Sequence, residues 1–217
     1  LFGILTFAGV LTYVAVSQDR NNPTYIASKT QAAREASIIK EMASRGIPPE
    51  GALALLQGPK LFAQHCASCH TYGGENGLGN KVEDSSAPDL KGFASREYLT
   101  NLLHPNRFTS TKFFGNTAHA KKSKMQEFLE EEFDGIDDDQ ALRKEVDQLI
   151  KAISAEAKLP SQVKLDAADK ADIEAGRELF FEDGFSCVDC HGLGDWSSDD
   201  YSAPDLTGYG SRKWLLD

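Results

Sequence analysis

Cys66-Ala67-Ser68-Cys69-His70 recurs, with its two central residues changed, as Cys187-Val188-Asp189-Cys190-His191. The two motifs contain all four cysteines of the 217-residue chain. A tetrahedral zinc site would need both motifs to meet around one ion, with each histidine left as a surplus ligand. A thioredoxin-like thiol pair would need a βαβ context, which the sequence lacks, and it has no use for the histidine. Chance recurrence is the remaining alternative to a shared chemical role.

The Cys-x-x-Cys-His spacing is typical of a c-type haem attachment site. In such a site both thiols form thioethers with the vinyl groups of haem, and the adjacent histidine is the proximal ligand of the iron. The sequence therefore predicts two covalently bound haem c groups, one at each motif. The predicted attachment residues are Cys66, Cys69, Cys187 and Cys190, and the predicted proximal ligands are His70 and His191.

Both motifs lie within a longer internal repeat. Gly58-Pro59-Lys60-Leu61-Phe62 precedes the first motif, and Gly176-Arg177-Glu178-Leu179-Phe180 precedes the second. Downstream, residues 86–99 match residues 202–215, and both segments contain Ser-Ala-Pro-Asp-Leu. The loop between the histidine and this segment is shorter in the second copy. This pattern indicates a domain duplication.

The periodicity of the chain favours helices throughout. Residues 24–45 are rich in alanine and long polar side chains, and Gly46 with Pro48-Pro49 should end that helix. Asp137-Asp138-Asp139 offers N-caps for a closing helix that extends to about Ala157, and another helix should start near residues 167–172. Strand signals are essentially absent, so the predicted fold class is all-α.

Residues 1–16 contain no charged side chain. A spanning helix needs about 20 apolar residues, so this segment is slightly short. It lacks the basic region and the initiator methionine of a signal peptide. We expect residues 1–18 to be the last part of a transmembrane helix whose earlier turns lie upstream of Leu1. A buried helix of a soluble protein is the alternative.

The formal net charge is −10, and haem propionates would add to it. This charge argues against binding nucleic acid and against electrostatic binding to an anionic membrane surface. A partner that docks by charge should present a basic face. The alternative is that the acidity only keeps an exported protein soluble.

The Gly-x-x-Leu-Phe helix, the haem motif, the Pro-x-Leu segment, a methionine and a closing helix together resemble class I cytochrome c domains. The resemblance implies an all-α chain with two such domains in tandem behind the transmembrane helix. A helical stalk covers residues 19–54, the first domain covers residues 55–158 and the second covers residues 159–217. The second domain would be incomplete at its C-terminus, because its ligand and closing helix would lie beyond Asp217.

The resemblance also implies the surroundings of each iron. The carbonyl groups of Pro88 and Pro204 should face Nδ1 of the proximal histidines. The distal ligand of the first haem should lie before the closing helix, where Met125 is favoured over His104 and His119. Side chains that could pair with propionates, or have ordinary packing roles, are Arg96, Tyr98, Arg212 and Trp214.

The N-terminal arrangement is similar to that of cytochrome subunits of bacterial quinol:cytochrome c oxidoreductases. It rests on the apolar span, the helical stalk and Gly46-Ile47-Pro48-Pro49-Glu50-Gly51-Ala52 before the first haem domain. The resemblance implies electron transfer on the periplasmic side of the cytoplasmic membrane, beside cytochrome b-type and Rieske-type subunits, toward a soluble acceptor. The alternatives are a dihaem peroxidase, the cytochrome subunit of a terminal oxidase, and an extracellular electron conduit.

Overall fold

The computed structural model describes residues 2–45, 52–117, 120, 123–181, 184–195 and 203–216. This part of the chain is helical and contains no β-strand, and Glu75 and Lys81 form an isolated antiparallel bridge. The predicted all-α character is thereby confirmed for these residues. The helices are α1 (Phe2–Asn21), α2 (Pro23–Arg45), α3 (Ala52–His65), α4 (Arg96–Leu102), α5 (Pro105–Phe108), α6 (Lys124–Glu132), α7 (Gln140–Glu156), α8 (Val163–Ala168) and α9 (Lys170–Glu178).

The chain divides into two units, Leu1–Asp89 and Leu90–Asp217. The first unit holds α1, α2, α3 and the first haem motif. The second unit holds the remaining helices and the second motif. The predicted boundary between a first domain of residues 55–158 and a second of residues 159–217 stays a prediction.

In the first unit, the helical chain breaks at Asn22, between α1 and α2. The Asn22 carboxamide oxygen accepts hydrogen bonds from the amides of Thr24 and Tyr25, at 3.0 and 3.2 Å, and Pro23 begins α2. An asparagine cap before a proline in the first turn is a favoured helix start. The asparagine oxygen accepts from the otherwise free amides of the first turn, and proline itself has no amide proton to satisfy. The predicted end of α2 at Gly46 and Pro48-Pro49 lies outside the described residues.

Helix α1 has no buried residue, and it is long and apolar enough to cross a membrane. A signal sequence near an N-terminus has the same length and composition. The span found in the structure, Phe2–Asn21, is slightly longer than the predicted 1–18.

The core of the second unit is built around α7. The Asp139 carboxylate caps this helix by accepting from the amides of Ala141 and Leu142, at 2.8 and 3.2 Å, which confirms the predicted closing helix. Helix α9 packs against α7 at Gly176, where an added Cβ would lie only 1.9 Å from the carbonyl oxygen of Gln148. The predicted start of a helix near residues 167–172 corresponds to the break at Asp169 between α8 and α9.

Within this unit, the matching segments of the two repeats pack against each other. The rings of Phe93 and Tyr209, which occupy equivalent repeat positions, have centroids 5.3 Å apart. An added Cβ on Gly210 would lie 2.2 Å from Cβ of its counterpart Ala94. The guanidinium of Arg96 on α4 pairs with Asp166 on α8 and with Asp169. Residues from both repeats therefore share one core.

Candidate haem attachment sites

The first haem motif continues α3 as a tight turn. The amide of Cys66 donates to the carbonyl of Phe62 at 2.8 Å, and the amides of Cys69 and His70 donate to the carbonyl of Cys66 at 3.1 and 2.8 Å. This helical turn places Cys66 and His70 one turn apart. Both cysteines are free thiols, as attachment to haem requires.

The imidazole of His70 faces the proline that the resemblance to class I cytochrome c domains implied. Nδ1 of His70 lies 2.7 Å from the carbonyl oxygen of Pro88. A carbonyl can only accept a hydrogen bond, so Nδ1 carries a proton, and in the neutral ring Nε2 then keeps its lone pair. Neutral imidazole with an open Nε2 is the form that binds a metal.

The second motif repeats this geometry. The amides of Cys190 and His191 donate to the carbonyl of Cys187, at 3.2 and 2.9 Å. Nδ1 of His191 lies 2.8 Å from the carbonyl oxygen of Pro204, so the same tautomer follows. Cys187 and Cys190 are likewise free thiols.

The second motif is embedded in the core of its unit. Phe185, two residues before Cys187, contacts the ring of Phe133 with centroids 5.0 Å apart. Burial raises the pKa of the Cys187 thiol to about 12, and the nearby carboxylates of Asp189 and Glu132 add to the rise. No feature of the sequence indicated that the charge of Glu132 would act on this motif, because that depends on how α6 packs.

Two of the three candidate distal ligands lie in the described part of the chain. Met125 is half-buried on α6 and packs against the core of the second unit. His104 is 7% exposed, and its Nδ1 accepts from the amide of Asn106 while Nε2 faces the Asp137 carboxylate at 3.3 Å. Both ring nitrogens of His104 are therefore engaged. His119 lies outside the described residues.

The side chains considered for the propionates have other partners. Tyr98 is buried, with its ring edge against Phe113 at 5.3 Å between centroids. The indole N–H of Trp214 donates to the carbonyl of Asp205 at 2.8 Å. Arg96 pairs with two aspartates, as described above. Packing and fold-supporting roles therefore account for these three residues, and Arg212 is exposed.

The donor set at each motif fits haem c. Two free thiols on one turn can each form a thioether, and an imidazole with a fixed tautomer can bind iron. In the described part of the chain, no group of three or more Cys, His, Asp and Glu side chains is placed to hold a metal ion without a cofactor. Apolar side chains flank the first motif: Leu61 is half exposed, and the ring of Phe62 lies edge-on to that of Tyr72.

Comparison with known proteins agrees with this chemistry. A search of curated proteins and a search of solved structures each gave no match. Residues 55–143, which include the first motif, match the family model described as cytochrome c. This match supports a cytochrome c domain in that region, with covalently bound haem c and haem-based electron transfer.

Proposed function

We propose that the chain is a membrane-anchored electron-transfer cytochrome that carries one haem c at each of its two motifs. The proposal rests on one repeated observation: a free thiol pair precedes a histidine whose Nδ1–H is held by a proline carbonyl, at 2.7 Å in one copy and 2.8 Å in the other. The family match covers only the first motif. The second haem is proposed because the local geometry is the same.

When bound, haem supplies a one-electron redox couple, and the protein supplies attachment, orientation and electrostatics. Each cysteine pair fixes the porphyrin. Each histidine presents the Nε2 lone pair. The hydrogen bond from Nδ1 to the proline carbonyl keeps the ring in one orientation. It also makes the imidazole a stronger electron donor to the iron, which favours the oxidised state of the iron. We propose Met125 as the sixth ligand of the first haem, and histidine–methionine ligation raises the reduction potential.

Counting haems tests this proposal. The holoprotein should retain its haem after acid–acetone extraction and should contain two haems per chain by a pyridine haemochrome assay. The double variants Cys66→Ala/Cys69→Ala and Cys187→Ala/Cys190→Ala are matched controls, and each should retain one haem. An unchanged haem count in the second variant would show that the second motif is empty, and bound zinc would contradict the assignment.

We further propose that the chain is the cytochrome subunit of a quinol:cytochrome c oxidoreductase, with its haems on the periplasmic side of the cytoplasmic membrane. This proposal is supported by the order of segments along the chain: the apolar helix α1 comes first, then the stalk, and then the cytochrome c domain. Its partners would be cytochrome b-type and Rieske-type subunits and a soluble acceptor with a basic face. When quinol is added to membranes that contain the complex, both haems should become reduced.

A dihaem peroxidase is the competing function, and Glu132 is the carboxyl on which it can be tested. Glu132 lies near enough to Cys187 for its charge to contribute to the raised pKa of that thiol. A carboxyl beside a haem is a candidate acid–base group for peroxide cleavage. Electron transfer predicts negligible peroxide turnover in both wild type and Glu132→Gln. Catalytic turnover that falls strongly in Glu132→Gln would favour the peroxidase.

A further inference from the structure

In the first motif, the hydrogen bond between the proximal histidine and its proline has a neighbour on each side. Before it, the amide of Ala87 donates to the carbonyl of Cys69 at 3.0 Å. After it, the hydroxyl of Thr71 donates to Oδ2 of Asp89 at 2.7 Å. Three consecutive residue pairs therefore connect the motif to the proline segment, and the histidine–proline pair lies in the middle.

Asp89 makes further contacts with the chain that follows the histidine. Its carboxylate accepts from the amide of Gly73 at 3.0 Å and from the amide of Gly74 at 2.7 Å. Asp89 is 3% exposed and Thr71 is 5% exposed. Removing a buried acceptor leaves its donors unsatisfied, which is costly. Asp89 therefore holds the loop after the histidine in one position.

Among the described residues of the second copy this arrangement is absent, although the aspartate is present in the sequence. Gly192 stands where the first copy has Thr71, so no hydroxyl is available at this position. Asp205 is exposed and accepts from the amide of Thr207 at 2.8 Å. The amide of Gly194 instead donates to the hydroxyl of Thr207, at 2.8 Å. A neutral hydroxyl replaces the buried carboxylate.

We propose that Asp89 is a positioning residue for the first haem. Asp89 holds the Pro88 carbonyl against His70 and thereby lowers the reduction potential of that haem. Asp205 has no such effect on the second haem. The inference rests on the proposed function. A firmly held hydrogen bond from Nδ1 makes the imidazole a stronger electron donor to the iron and so stabilises the oxidised iron. A buried negative carboxylate nearby stabilises it in the same direction.

Redox titration of the full-length holoprotein, followed by its visible spectrum, tests the inference. In Asp89→Asn the first haem should shift to a more positive potential while the second stays in place. Thr71→Val removes one donor without changing charge, so its shift should have the same sign and be smaller. Asp205→Asn is the matched control and should shift neither haem. The two waves are assigned with the Cys187→Ala/Cys190→Ala variant, which should carry only the first haem.

Amide hydrogen exchange gives a second readout, which does not depend on the redox couple. The amides of Gly73 and Gly74 should exchange faster in Thr71→Val than in wild type, because Asp89 loses one of its anchors. If Asp89→Asn does not fold, Thr71→Val decides the question by both measurements. The inference is overturned if haem-loaded variants keep the wild-type potential, or if Asp205→Asn shifts the second haem as much as Asp89→Asn shifts the first. Absence of haem at the first motif would instead contradict the proposed function.

Discussion

A proline carbonyl accepts a hydrogen bond from Nδ1 of His70 in the first unit and from Nδ1 of His191 in the second. The resemblance to class I cytochrome c domains predicted this role for the two prolines, and the recurrence of the Ala-Pro-Asp-Leu segment strengthened the prediction. The different roles of Asp89 and Asp205 were not, because they depend on whether a donor side chain follows the histidine. The change from Thr71 to Gly192 is the one sequence signal that could have pointed to this difference.

Met125 allows a prediction for a single iron ligand. We expect Met125→Ala to abolish the weak near-infrared sulfur-to-iron band of the oxidised first haem and to lower its reduction potential, because a thioether ligand raises that potential. His119→Ala is the control and should leave the band intact. Met125 packs against the same core as Cys187. Loss of the band from the second haem alone would therefore reassign the ligand.

Ionisation of the buried Tyr209 phenol should lower the stability of the protein at high pH. Burial raises the pKa of this phenol above its ordinary value of 10.0, and nearby Tyr98 adds to the rise. Because the folded state keeps the proton more tightly, the stabilisation is fully present below about pH 10 and is lost as pH rises through the higher folded pKa.

Denaturant unfolding of wild type and Tyr209→Phe at pH 8 and pH 11 measures this effect. The variant should lose less of its free energy of unfolding between the two pH values, because it has no phenol to ionise. Tyr72→Phe, at a half-exposed position, should behave as wild type. Equal losses in wild type and Tyr209→Phe would show that ionisation of Tyr209 does not limit alkaline stability.

At the scale of the elements, the sequence predicted α7 well. Three consecutive aspartates followed by apolar residues at helical spacing mark its start and its buried face, and Asp139 is the residue that caps it. The partner of α7 was not predictable. Helix contacts depend on which faces meet in three dimensions, and a glycine in a repeated motif does not tell which helix will cross it.

The glycines of the repeated Gly-x-x-Leu-Phe segments give a matched pair of variants. An added Cβ on Gly176 would collide with the Gln148 carbonyl at 1.9 Å, whereas one on Gly58 would meet nothing within 4 Å. We expect Gly176→Ala to destabilise the protein by about 1–3 kcal/mol, as overpacking does. Gly58→Ala should stabilise it by roughly 0.5–1 kcal/mol, because alanine favours a helix more than glycine does.

Chemical denaturation of the two holoproteins measures both effects. The sign of the difference is the critical result, since the two substitutions are chemically identical. An unchanged midpoint for Gly176→Ala would mean that α9 does not cross α7 in solution as described. A lower midpoint for Gly58→Ala would mean that Gly58 is not an unobstructed position of α3.

At the scale of the whole molecule, we expect the apolar helix α1 to attach the protein to the membrane. Deletion of residues 2–21 should move the protein from the membrane fraction to the soluble fraction and leave its haem spectrum unchanged, because α1 buries no residue against the rest of the chain. Replacing the helix with an unrelated apolar span is the control and should restore membrane attachment. A deleted protein that stays in the membrane fraction would show that another surface or subunit holds it there.

The net charge of −10 predicts how the chain meets its electron acceptor. We expect the rate of electron transfer to a basic soluble acceptor to fall steeply as salt rises from 10 to 200 mM, since screening shortens the range of attraction from about 30 Å to below 10 Å. Stopped-flow measurements against a basic and an acidic acceptor check this. A rate to the basic acceptor that does not respond to salt would contradict charge-guided docking.

The shared core of the second unit also has a consequence for biosynthesis. Leu129 and Phe133 leave the ribosome before Phe185 and Tyr209, which complete the same core. At about 5–20 residues per second, that interval lasts several seconds. During this time the apolar side chains of α6 and α7 lack part of their cover, so the nascent chain is most prone to aggregate just before its second repeat arrives.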